Sequence, residues 1–175
     1  QGSFSVLSTQ GNFNNLIGVP KTLLRLTPEH SLAVVEMGMN QIGELRRLTE
    51  IARPEVAILT NIVEAHIGQF GSLARLIEAK SEMLEGLGEN GLLVANADCP
   101  HSMQAIEQLN RPLQIMTFGI NTPADVLCEE IVRLDPLGYR IHVSARGEQA
   151  WIDLRLFGRF QVYNALAAVA VGLAM

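Results

Sequence analysis

The chemistry available to this sequence begins with His66 and Lys80. His66 closes the stretch Thr60-Asn61-Ile62-Val63-Glu64-Ala65-His66. Lys80 lies within residues 72–87, where Leu73, Leu76, Ile77, Met83, Leu84 and Leu87 recur at helical spacing and form one apolar stripe. Lys80 falls on that stripe, sharing a face with Leu73, Leu76, Ile77 and Leu84. A lysine aimed inward must reach back to water, pair with an anion or lose its charge, because desolvation penalises the ammonium. The plainer alternative is a stem that lies along apolar neighbours and leaves its head in solvent. Lys21 and Lys80 are the only lysines, against eleven arginines, so neither is one of many solubilising surface groups.

Glu36 ends the apolar run 32–36, which reads as a strand buried on both faces. The next such run, 56–59, leads directly into the segment ending at His66. In an open parallel sheet ligands bind beyond the carboxyl ends of the strands, so Glu36 and His66 are expected to open into one crevice. A carboxylate and an imidazole there suit a divalent cation, magnesium or manganese rather than zinc. Read singly, they are a loop histidine with a hydrogen bond and a carboxylate paired with an arginine. Upstream, Gly11-Asn12-Phe13-Asn14-Asn15 leads through Ile17-Gly18-Val19-Pro20 to the start of a helix. Free N–H groups and amide side chains at such a place suit phosphate or carboxylate, and they suit capping and turn formation equally. No G-x-x-x-x-G-K-[ST] loop is present. Gly18-Val19-Pro20-Lys21-Thr22 has proline directly before the lysine and lacks the spaced first glycine, so Lys21 reads as an ordinary helix residue.

The elements that must position these groups alternate. Strand-like runs at 4–8, 32–36, 56–59, 92–95 and 114–118 are separated by helical patterns after Pro20 and at 44–52, 72–87 and 102–109. This predicts an α/β fold with a mainly parallel, Rossmann-like sheet flanked by helices. After about Asp125 the runs 126–134, 139–145 and 150–157 are joined by short turns, which predicts a small antiparallel meander near the C-terminal part. An alanine-rich helix follows from Val162. The expected organisation is one domain over 1–175, with a parallel part at 1–124, the meander at 125–157 and a final helix at 158–175. Hydrophobic residues are 48% and charged residues 18%, which suits a well-buried interior. A net charge of -5 argues against nucleic acid as a partner. Cys99 and Cys128 form neither a disulfide framework nor a metal-type pair, and no apolar run reaches membrane-spanning length, so a reducing, cytoplasmic setting is expected.

In their order, the asparagine loop, Glu36-Met37-Gly38-Met39-Asn40, Thr60 to His66, Phe70-Gly71-Ser72, Glu78-Ala79-Lys80-Ser81-Glu82 and Asn96-Ala97-Asp98 resemble the central, ATP-binding domain of the Mur ligases. These are ATP-dependent amide-forming enzymes of peptidoglycan precursor synthesis, and the resemblance runs from about Val6 to the end. The motifs sit nearest the branch that joins D-alanyl-D-alanine to UDP-N-acetylmuramoyl-tripeptide. The resemblance implies ATP and Mg2+ as cofactors, Glu36 and His66 as magnesium ligands, and Lys80 as a carbamylated lysine on the metal. It makes Asn15 the asparagine near the transferred phosphate and Asn164 the adenine contact. In Gly158-Arg159-Phe160-Gln161-Val162-Tyr163-Asn164, Phe160 and Gln161 stand where the family commonly has histidine and asparagine, a variation closer to the branch that adds the third amino acid. The implied reaction activates a peptide carboxylate as an acyl phosphate, which the amine then attacks. The family's phosphate loop and its two outer domains are expected to lie outside these residues, so the piece alone is expected to be inactive and to self-associate through exposed sheet. Competing readings are the third-residue ligase, a noncatalytic nucleotide-binding or interaction module, and a generic Rossmann-like domain whose metal residues coincide.

Overall fold

Runs of β-branched and aliphatic residues bounded by Gly, Pro and Asn become strands, and segments with 3.6-residue apolar spacing become helices. The computed structural model describes residues 4–63, 67–109, 111–134 and 136–175. In chain order the elements are β1 (Val6–Ser8), α1 (Gly18–Leu23), β2 (Leu32–Val34), α2 (Glu44–Ala52), β3 (Val56–Leu59), α3 (Ile67–Phe70) and α4 (Leu73–Glu85). Then come β4 (Leu92–Asn96), α5 (Pro100–Glu107), β5 (Gln114–Gly119), β6 (Val126–Arg133), β7 (Tyr139–Ala145), β8 (Glu148–Leu154) and α6 (Phe160–Ala174). The α/β class, with parallel strands followed by an antiparallel meander, is what the sequence pattern predicts. By contacts the chain forms two units, one of Gln1–Pro54 with Glu64–Gly88 and one of Glu55–Val63 with Glu89–Met175. Among the described residues no helix is long and apolar enough to cross a membrane.

In the first unit β1 and β2 pair in parallel, Val6 opposite Leu32 and Ser8 opposite Val34. The reading of 32–36 as a strand buried on both faces does not hold. β2 spans only Leu32–Val34, Leu32 is half-buried and Val34 is 52% exposed. An apolar run reports that a segment can be covered, but among the described residues β2 has β1 as its only strand neighbour. One core cluster of this unit is Val19, Leu45 and Leu48, with Leu23, Val35, Met37, Met39 and Met83 packed around it, and Leu76, Ile77 and Leu84 of α4 are buried as well. α2 lies against α4, and a Cβ at Gly86 would overlap the side chain of buried Thr49, so glycine there permits the approach of the two helices.

α2 begins at Gly43 (φ 97), which has no capping side chain, and Glu82 of α4 supplies the missing acceptor. Its Oε1 accepts the Gly43 N–H at 2.6 Å and its Oε2 the Arg46 N–H at 3.4 Å. Arg46 Nη2 lies 3.9 Å from the same carboxylate, which is only 1% exposed. Unpaired N–H groups and the positive end of a helix dipole are what a desolvated carboxylate needs, so this buried charge is satisfied.

The second unit is a six-stranded sheet in the order β3-β4-β5-β6-β7-β8, parallel from β3 to β6 and antiparallel from β6 to β8. The meander is therefore continuous with the parallel strands. The link is short: Phe118 pairs Val126 and Gly119 pairs Leu127. Arg146 (φ 53) and Gly147 (φ 80) make the two-residue hairpin turn whose twist matches the strands it joins. A bulge between Cys128 and Glu130 interrupts the β6–β7 register. α6 buries Val162, Leu166, Ala167 and Ala170 against Val94, Phe118, Val126 and Ile141 of the sheet. At roughly 25 cal/mol per Å² of apolar surface removed from water, a buried leucine such as Leu166 contributes about 2 kcal/mol.

Candidate functional site

The asparagine loop and the end of β2 are tied together in the first unit. Asn14 Nδ2 donates to Glu36 Oε1 at 2.8 Å, the Gly38 N–H donates to the Asn14 carbonyl at 2.7 Å, and the Glu36 N–H donates to Thr9 Oγ1 at 2.9 Å. Glu36 is exposed and has one oxygen engaged by an amide. Asn15 Oδ1 accepts the N–H groups of Ile17 (3.1 Å) and Gly18 (2.8 Å), capping the first turn of α1. That occupies its carbonyl oxygen and leaves its amide N–H2 as a donor at an exposed position. Lys21 is a helix residue, as the sequence predicts, and its ammonium lies 4.9 Å from the centre of the Phe13 ring.

α4 is capped by Ser72, whose hydroxyl accepts the Arg75 N–H at 3.3 Å. Its buried face carries Leu76, Ile77, Ala79, Glu82 and Leu84, and Lys80 is half-buried beside them. The His66 reading, with Glu64 and Ala65, lies outside the described residues. Among the described residues no three His, Cys, Asp or Glu side chains form a metal-type group. The donor chemistry nonetheless suits magnesium: an exposed carboxylate offers a hard oxygen, and a carbamate on Lys80 would offer another in place of an ammonium.

Asn164 lies in the second unit. It is exposed on α6, and its Nδ2 donates to Gln161 Oε1 at 2.9 Å. Phe160, the first residue of α6, is 63% exposed. Its ring sits so close over Gly158 (φ 97) that any Cβ there would strike it. Tyr163 on the next turn donates its hydroxyl to Asp98 Oδ2 at 2.9 Å.

Sequence reasoning missed the role of Asp98 and its neighbours at the carboxyl end of β4. Asp98 accepts N–H groups from Ile120 (2.8 Å), Asn121 (3.0 Å) and Thr122 (2.7 Å), pinning the loop after β5. Burial raises its pKa, but the backbone N–H groups of Ile120 and Asn121, with Thr122 and Tyr163, outweigh this and hold it at about 2. Burial first, and then Asp98, push the Tyr163 hydroxyl up. The same loop is closed by Asp125, whose carboxylate accepts both the N–H (2.7 Å) and the hydroxyl (2.8 Å) of Thr117. Asn96, 3% exposed, donates to the Thr60 carbonyl at 3.0 Å, and the Cys99 thiol accepts the Ile62 N–H at 3.3 Å. The motif Asn96-Ala97-Asp98-Cys99 thus holds the loops after β3 and β5 and the first turns of α6.

The strand-end loops of the second unit are thus fixed by Asn96, Asp98 and Asp125, and the first unit by itself ties an amide-rich turn to a carboxylate. The chain belongs to the Mur ligase family: residues 1–172 match the Mur ligase middle domain. Among its relatives is the UDP-N-acetylmuramoyl-tripeptide--D-alanyl-D-alanine ligase of Escherichia coli (strain K12), 36% identical over 180 residues, covering 98% of this chain and 38% of that protein. A crystal structure of MurF from Acinetobacter baumannii superposes with a TM-score of 0.90 at 35% identity, covering 98% of this chain and 37% of that one. MurF ligase from Thermotoga maritima, solved in complex with ADP, gives 0.85 at 25% identity, covering 98% and 39%. The chain therefore spans less than two fifths of the length of these relatives.

Proposed function

We propose that the protein containing this chain is an ATP-dependent ligase of the cytoplasm that joins D-alanyl-D-alanine to UDP-N-acetylmuramoyl-tripeptide through an acyl phosphate. The observation that carries this reading is the Asn14–Glu36 link, which brings an amide-rich turn and a carboxylate together from 22 positions apart. It occurs in a chain 36% identical, over nearly its whole length, to a ligase of that name. In this reading the Asn15 amide, its oxygen held by α1, donates to a phosphate oxygen near the transferred group. Asn164 contacts the adenine. Glu36, His66 and the carbamate of Lys80 hold magnesium, which when bound neutralises charge on the phosphoryl oxygens.

Carbamylation of Lys80 joins its neutral amine to carbon dioxide, releases a proton and leaves a carboxylate-like oxygen donor. Lys80 is half-buried on α4, beside the apolar face of that helix. Mass spectrometry under conditions that preserve carbamates should find one added carbon dioxide on Lys80. A full-length protein carrying only free amine at that position, yet fully active, would overturn that assignment. The ligase reading itself is tested by turnover: ADP release by the full-length protein should require both the tripeptide precursor and D-alanyl-D-alanine. Preference for another amino acid as the amine would instead favour the third-residue branch, and nucleotide binding without amide formation would favour the noncatalytic module.

A further inference from the structure

We propose that Asp98 is a positioning residue for nucleobase recognition, acting through Tyr163 to fix the turn of α6 that presents Asn164. The proposal rests on reading Asn164 as the adenine contact and adds to it a residue that would never touch the nucleotide. An aspartate at the carboxyl end of a parallel strand invites assignment as a metal ligand. The geometry argues otherwise, because both oxygens are already saturated. Oδ1 accepts the Thr122 N–H at 2.7 Å and the Asn121 N–H at 3.2 Å. Oδ2 accepts the Ile120 N–H at 2.8 Å, the Asn121 N–H at 3.0 Å, the Asn121 amide at 3.2 Å and the Tyr163 hydroxyl at 2.9 Å. A carboxylate has about four lone-pair sites, and here they are spent on five donor groups, the Asn121 N–H being shared between the two oxygens.

What these donors share is the strand-end surface of the second unit. Four come from Ile120, Asn121 and Thr122 in the loop after β5, and Tyr163 immediately precedes Asn164 in the helix. The Asn121 amide also lies 3.5 Å from the Tyr163 hydroxyl, closing a triangle of loop, carboxylate and helix. Asn164 is exposed, and its only hydrogen bond to a described side chain is the one to Gln161 on its own helix. An exposed amide discriminates between bases only if its backbone is held still, and the Tyr163–Asp98 bond is the nearest tether from outside the helix.

The test is equilibrium binding of magnesium-ATP and magnesium-GTP to the full-length protein by calorimetry, with wild type, Asp98→Asn, Tyr163→Phe and the double variant. Tyr163→Phe keeps the ring and removes only the hydroxyl. The expected result is a preference for ATP over GTP that falls about tenfold in each single variant, the size of one hydrogen bond to a charged group, and falls no further in the double. Loss of packing alone would weaken both nucleotides together and leave the ratio unchanged, and that outcome overturns the proposal. So does a wild type that shows no preference between the two bases. Absence of ligase turnover, with the ATP preference intact and sensitive to Tyr163→Phe, would instead count against the proposed reaction.

Discussion

Asp98 illustrates how one side chain couples pH to folding. Its carboxyl is lowered from 3.8 to about 2 in the folded chain. A carboxyl depressed by folding contributes stability that is complete above its unfolded pKa and is lost as pH falls through its folded pKa. In urea titrations the advantage of wild type over Asp98→Asn should therefore shrink by about 2 kcal/mol as the pH drops from above 3.8 to about 2. An advantage that stays constant across that window would refute the linkage. Glu82 calls for a different measurement. Glu82→Ala leaves the N–H groups of Gly43 and Arg46 without their acceptor and should cost ~1–3 kcal/mol in chemical denaturation, whereas Glu82→Gln, which keeps an oxygen, should cost less. At this scale the sequence was legible where chemistry and local spacing coincide, as for Asn15 at a helix start. Glu82 was readable only in retrospect: it lies three residues after buried Ala79, and Gly43 opens a helix with no capping side chain. The partnership of Asp98 with Tyr163 spans 65 positions and leaves no local trace.

Among the elements, α2 and β7 keep the limits their patterns predict, because each has both a strong apolar period and clear end signals. α4 also follows its stripe, with Lys80 at the half-buried margin rather than in the centre. β2 departs from expectation because the burial of a strand is decided by what covers it, which the strand's own residues do not encode. The α2–α4 contact makes its own prediction. Gly86→Ala should lower stability by ~1–3 kcal/mol through overlap with Thr49, read as a fall in the thermal midpoint. An unchanged midpoint would mean that the helices can part without cost. The β6 bulge was not legible either, since its register shift reflects the pairing of two strands rather than the composition of one.

For the molecule as a whole, the exposed apolar side chains of the first unit set the expectation in solution. Val6, Ile17, Leu24 and Val34 are 47%, 79%, 87% and 52% exposed, and among the described residues β1 and β2 pair only with each other. We propose that the isolated chain self-associates through this surface, so equilibrium sedimentation should show a mass that rises with concentration. A monomer at all concentrations would sink that expectation, and replacing Leu24 and Ile17 by polar residues should reverse the association. The overall class of the fold was legible because strand and helix alternate so regularly. The division into units was not, because residues 55–63 join the second unit from between two segments of the first. That interleaving has a practical corollary for anyone cloning shorter pieces. No single cut in the gene separates the units, since truncation before residue 55 strips 64–88 of its companions and truncation after 88 orphans β3.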